Sequence, residues 1–194
     1  MMKNHLPTLL GALVISTVLA APANAQGANA QGIESKLQVC GSCHGENGVP
    51  IDPKTIPIIW GQTEYFIVKQ MHDFKTGDRE SPIMSTFAKQ FTPADLRPLA
   101  RYFSAKQWPA KTATVAATPP PANVNIAVCQ ICHQQGFVGG LPAPRLAGQS
   151  YEFLIGAMNS FANGTRTNNA DMVKLMEGLS VQDREAIAHY IAGL

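Results

Sequence analysis

At 194 residues, with 15 basic and 13 acidic side chains and a formal net charge of +2, the chain lacks the single-sign excess by which proteins hold nucleic-acid phosphates. No segment carries the roughly 20 consecutive apolar residues that a membrane-spanning helix requires. Its four cysteines occur as two Cys-x-x-Cys pairs and nowhere else.

The N-terminus reads as an export signal. Lys3 gives a positive start, residues 9–21 an apolar stretch, and Ala23-Asn24-Ala25 a small-x-small cleavage site. Residues 1–25 are therefore expected to be removed, leaving a mature chain from Gln26 outside the cytoplasm, in the periplasm if the source is a bacterium. No cysteine follows the apolar stretch, so a lipid anchor at the mature N-terminus has no acceptor.

Ile33, Leu37 and Cys40 fall at helical spacing, so a short helix is expected to present Cys40-Gly41-Ser42-Cys43-His44 from its apolar face. In such a motif two thiols three positions apart can form thioethers with the two vinyl groups of one haem, and the adjacent histidine becomes the proximal iron ligand. Three other readings fare worse. A thioredoxin-like dithiol belongs with a strand–helix–strand pattern that neither copy shows. A zinc site would need pairs much closer than the 89 positions separating Cys40 from Cys129. Plain disulfides would leave the histidine after both pairs to chance. The motif recurs as Cys129-Gln130-Ile131-Cys132-His133. Two covalent haem c groups are thus expected, attached at Cys40, Cys43, Cys129 and Cys132, with His44 and His133 on iron.

After the first motif, the carbonyl of Pro57 could accept the other N–H of the proximal histidine, or Pro57 could be an ordinary loop proline. Gly61-Gln62 then leads into a helix expected over 63–76, with Phe66, Ile67, Met71 and Phe74 inward and Gly77 as its stop. Arg79 follows, suited to a haem propionate or else solvated. Met84 falls in an expected loop before the last helix, where a thioether could take the position opposite the histidine and raise the potential above that of a bis-histidine iron. Met71, mid-helix among aromatic residues, reads as core filler, and His72 as a surface residue. Thr92-Pro93-Ala94-Asp95 caps the last helix, which turns Leu96, Leu99 and Phe103 inward.

Residues 109–123, rich in Ala, Thr and Pro and containing Pro119-Pro120-Pro121, read as a semi-stiff linker between domains at 26–108 and 124–194. The second domain repeats the first. At an offset of 87 come Pro144, Gly148-Gln149, Met158, Phe161, Gly164 and Arg166, and at 88 come Met172, the cap Ser180-Val181-Gln182-Asp183, and Tyr190. Ile187 and Ile191 are expected inside and His189 at the surface, while Met176 answers to Ala88 and breaks the symmetry. With no credible strand pair the fold is all-α, and each domain is so small that its haem serves as a staple. Residues 26–108 hold 9 basic and 8 acidic side chains and 122–194 hold 4 and 5, so a redox partner should dock through apolar and polar contacts more than charge.

Cys40-Gly41-Ser42-Cys43-His44-Gly45, Gly61-Gln62, Leu146-Ala147-Gly148-Gln149, and Lys69-Gln70-Met71-His72-Asp73-Phe74-Lys75-Thr76-Gly77 with Arg79 make the chain resemble the dihaem cytochrome c4 family over nearly its whole mature length. The resemblance implies two tandem class I cytochrome c domains, Met84 and Met172 as the sixth ligands, haems near the domain interface, and a proline carbonyl on each histidine. It also implies an electron carrier and no enzyme, receiving electrons from a membrane-bound donor complex and delivering them toward a terminal oxidase or reductase. Similar double-domain cytochromes serve as subunits of dehydrogenases, including flavocytochrome sulfide dehydrogenase, and that is the alternative. A dihaem peroxidase would need an open or bis-histidine haem, against which the two matched methionines stand. Two departures mark the chain. Trp60 stands where the repeat has Ala147, and Gln134 follows the second motif where a glycine is usual.

Overall fold

The computed structural model describes residues 1–2, 25–110, 116 and 118–194. Residues 3–24 of the expected export signal, and linker residues 111–115 and 117, lie outside the described residues. Among the described residues there are helices and no strand. The first half comprises α1 (Ala25–His44), α2 (Glu64–Thr76), α3 (Pro82–Ala88) and α4 (Pro93–Ser104). The second comprises α5 (Ile126–His133), α6 (Tyr151–Ala162), α7 (Ala170–Glu177) and α8 (Val181–Ala192), with one 3₁₀ turn at Gln135–Phe137.

Local signals set the ends of these helices. Thr92 donates its N–H to the Asp95 carboxylate at 2.7 Å, and Ser180 and Asp183 exchange bonds of 3.1 Å in both directions, so α4 and α8 begin in equivalent capping boxes. Gly77, at φ 92°, closes α2 by returning its N–H to Asp73. In each half the second helix packs on the last helix and on the short third one, and α1 lies against α4. Ile33, Leu37, Met71, Phe74, Leu99 and Phe103 share one buried cluster, while Leu154, Met158, Phe161, Ile187 and Ile191 share another. Met71 and Met158 thus fill the cores as expected, and Met176 joins the second.

Two expectations are corrected. Met84 and Met172 do not lie in loops, because Ser81 and Asn169 cap short helices that the methionines enter at the third position. These helices, of 7 and 8 residues, are too short to show an apolar period. His189 is only half exposed, because its ring stacks on Tyr151 at 3.9 Å. His72 is exposed as expected.

The departure at Trp60 has a counterpart. Gly48 takes φ 84°, and a Cβ on it would lie 2.7 Å from the Trp60 ring. Four residues after the histidine of the second motif, the place of Gly48 belongs to Phe137, which is fully buried and keeps a positive φ of 58°. Phe137 packs in one cluster with Ala147, the residue at the position of Trp60, and its carbonyl accepts the Leu146 and Ala147 N–H groups at 2.9 and 3.1 Å. Each loop therefore holds one large ring, supplied from opposite arms.

Gln134 has no such exchange. It sits at φ 66°, ψ 161°, a region open essentially to glycine alone, where Gly45 of the first half takes φ 88°. Relief of strain worth about 1–3 kcal/mol exceeds the entropic cost of a new glycine. Gln134→Gly is expected to raise unfolding stability by about 1 kcal/mol, read as a higher denaturant midpoint, while Gly45→Gln should lower it.

Candidate functional site

The helices α1 and α5 end on His44 and His133, both buried, with 8% and 7% of their surface exposed. Each histidine Nδ1 meets a proline carbonyl, Pro57 at 2.8 Å and Pro144 at 2.9 Å. A carbonyl can only accept, so Nδ1 carries the hydrogen and the lone pair stays on Nε2. Burial presses both imidazoles below the ordinary histidine value, outweighing the opposing carbonyl contact, and keeps them neutral. Each is thus an oriented nitrogen donor of fixed tautomer.

The four thiols are unbridged. Burial pushes the Cys40 thiol up to about 11 and raises that of Cys129 as well. A redox dithiol requires the reverse shift. Among the described residues, His72, Asp73 and Asp78 form the one cluster of three such side chains with metal-binding proximity, so the cysteine pairs do not gather into a zinc site. In each half the motif puts two thiols and the histidine on one helix end. Cys40 and Met84 both border the first core cluster, and Cys129 and Met172 both border the second. The Met84 N–H bonds the Ser81 hydroxyl at 3.3 Å and the Met172 N–H the Asn169 side chain at 2.9 Å, which fixes the two methionines at equivalent places. Two free thiols, a neutral imidazole and a thioether around an apolar core form a donor set that fits haem c.

Between the halves lies a polar seam that the sequence did not disclose. The half-buried Arg79 and Arg166 come from different halves and both donate to Gln70 Oε1, at 2.6 and 3.0 Å. Lys69 reaches the buried Asp73 at 2.5 Å and the Asn168 carbonyl at 3.0 Å, and Asn168 also donates to Asp73 at 2.6 Å. Three cations thus stand around one carboxylate. Burial presses both guanidiniums toward their neutral forms, and for Arg166 the facing Arg79 adds to it. Farther along, Gln62 Oε1 accepts the Arg145 N–H at 2.8 Å and its Nε2 donates to the Arg145 carbonyl at 2.9 Å. Gln149 does the same to Ile58, with both bonds 3.1 Å. The Gly-Gln repeat was visible in the sequence, but nothing in it pointed across the interface.

Buried neutral histidines have a pH consequence. Their folded values lie below the unfolded value, so the unfolded chain binds more protons as pH falls below about 6.5. Stability should be level above neutrality and decline from about pH 6.5 downward, ahead of carboxylate titration. Denaturant midpoints between pH 8 and 5 check this, and a flat profile would contradict it.

No protein-family model matches the chain. The chain is similar to the cytochrome c4 of Pseudomonas aeruginosa, 34% identical over 96% of this chain and 98% of that one. It is 27% identical to a thiosulfate dehydrogenase electron acceptor of Stutzerimonas stutzeri, over 98% of this chain and 95% of that one. The solved structure of Acidithiobacillus ferrooxidans cytochrome c4 superposes with a TM-score of 0.72 at 27% identity, covering 81% of this chain and 99% of that one. With the all-helical pair of domains and the repeated donor set, these likenesses place the chain in the cytochrome c4 family, as an electron-transfer protein with two covalently attached haem c groups.

Proposed function

We propose that the chain is a periplasmic electron shuttle between a membrane-bound respiratory donor and a terminal oxidase or reductase. Residues 1–25 would be its export signal, 26–108 and 124–194 its two domains, and 109–123 their linker. The observation that carries this reading is the duplicated buried imidazole, neutral and oriented by a proline carbonyl, beside two unbridged thiols. In this reading Cys40 and Cys43 attach one haem, with His44 and Met84 as its iron ligands. Cys129 and Cys132 attach the other, with His133 and Met172. Haem c supplies reversible one-electron exchange at iron.

The chain supplies the rest. A neutral imidazole donates without competing for a proton, and a thioether favours the reduced state relative to a second imidazole. The apolar clusters keep water from the site and so lower the local dielectric. Arg79 and Arg166 offer planar donors to propionates, which would offset the excess of positive charge in the seam. Among the described residues no helix is long and apolar enough to cross a membrane.

A second reading, a subunit of a dehydrogenase, draws on the relative named as a thiosulfate dehydrogenase electron acceptor. A subunit copurifies with a catalytic partner, and a shuttle purifies alone.

The ligand assignment has a spectroscopic test. Pyridine haemochrome should count two haems per chain, neither extractable by acid–acetone. The weak near-infrared sulfur–iron band of the oxidised protein should fall by about half in Met84→Ala and again by half in Met172→Ala. Loss of the band in Met71→Ala instead would move the ligand to α2.

A further inference from the structure

Two glutamines of the seam, Gln62 and Gln149, each hold the peptide group that supports the histidine of the other half. The Pro57 carbonyl and the Ile58 N–H belong to one peptide unit. Its oxygen faces His44 Nδ1 at 2.8 Å, and its N–H donates to Gln149 Oε1 at 3.1 Å. The Pro144–Arg145 unit repeats this, with its oxygen 2.9 Å from His133 Nδ1 and its N–H 2.8 Å from Gln62 Oε1. Both glutamines are buried, with 4% and 3% exposed. Their amide oxygens are fully engaged, because Oε1 also accepts a local N–H, from Thr63 at 2.9 Å and from Ser150 at 3.1 Å.

An amide whose N–H is bonded to an acceptor is polarised, and its carbonyl becomes a better acceptor in turn. A better acceptor on Nδ1–H makes the imidazole more basic at Nε2. A more basic ligand stabilises the higher oxidation state of the iron it binds. We infer that Gln62 and Gln149 are positioning residues that set the reduction potentials in trans, Gln62 for the haem at His133 and Gln149 for the haem at His44. The inference rests on the histidine ligation proposed above. It makes the docked arrangement of the halves a determinant of both potentials.

The direction follows from the chain of bonds. Gln62→Leu removes the acceptor from the Arg145 N–H, weakens the Pro144 carbonyl and should raise the potential at His133 while leaving that at His44 in place. Gln149→Leu should do the converse. A residue that merely held the halves together would move both potentials or neither.

The experiment uses the full-length dihaem protein. The two potentials are read by voltammetry, and each is assigned by which one moves in Met84→Ala and which in Met172→Ala. Exchange of the Ile58 and Arg145 amide protons with solvent gives a readout independent of potential, and only the amide facing the replaced glutamine should speed up. Crossed shifts with faster exchange at that amide support the proposal. Equal shifts at both haems, a shift confined to the haem of the glutamine's own half, or unchanged potentials would overturn it. If either leucine variant fails to fold, Gln62→Asn or Gln149→Asn, whose amide is one methylene too short to reach the facing N–H, is read in its place and should give the same crossed shift. Ligation itself is checked in the parent, whose oxidised spectrum must show hyperfine-shifted resonances from both His44 and His133. Their absence would sink the ligand reading, and their presence beside unmoved variants would sink only the role of the glutamines.

Discussion

A carbonyl that can only accept, set against an imidazole that donates from one nitrogen at a time, determines which end of each histidine turns toward the interior. The rest of each half follows from that demand. The chain must leave His44 sharply and return with the Pro57 oxygen within 2.8 Å of it, which explains why Gly45 has a left-handed backbone at the exit. The same demand on His133 is met with Gln134 at the exit, at the cost of backbone strain.

Neither half has much core to spare, since domains of this size fold marginally without a staple. Each buries its apolar residues in its own cluster and leaves few for the boundary. What joins the halves is polar: two bidentate glutamines, an arginine pair sharing one amide oxygen, and Arg145 packed over the Trp108 ring at 4.7 Å. Directional bonds specify a relative placement more sharply than apolar contact, which tolerates sliding. A protein that must hold two redox centres in fixed relation gains from such a seam.

Much of this was legible in the residues. The two motifs placed the thiols and histidines, the family resemblance singled out the carbonyls of Pro57 and Pro144 where spacing alone left them open, and Thr92 with Asp95 announced a cap that the structure reproduces. These are local signals, satisfied within one turn or one loop. The helices carrying Met84 and Met172 escaped notice because one or two turns are too brief for periodicity to register. The seam escaped for the opposite reason. Gln62 and Arg145 are separated by 83 positions and Gln149 and Ile58 by 91, and a buried glutamine looks in sequence like any surface one. Arg79 and Arg166 were noted as equivalent repeat positions, yet their convergence on Gln70 depends on how the two halves meet.

The opposed rings of the two loops bear on how the halves could diverge after duplication. Trp60 against Gly48 and Phe137 against Ala147 are two solutions to one volume, and no single substitution converts either into the other. Adding the second ring first crowds the loop, a cost of about 1–3 kcal/mol, and removing the first ring first hollows it, a cost of about 3–5 kcal/mol. Either intermediate takes a large share of what a small domain has in reserve. The pair is therefore inherited as a unit, and a sequence made by averaging the two halves position by position would combine incompatible parts, ending with two rings in the loop or with none.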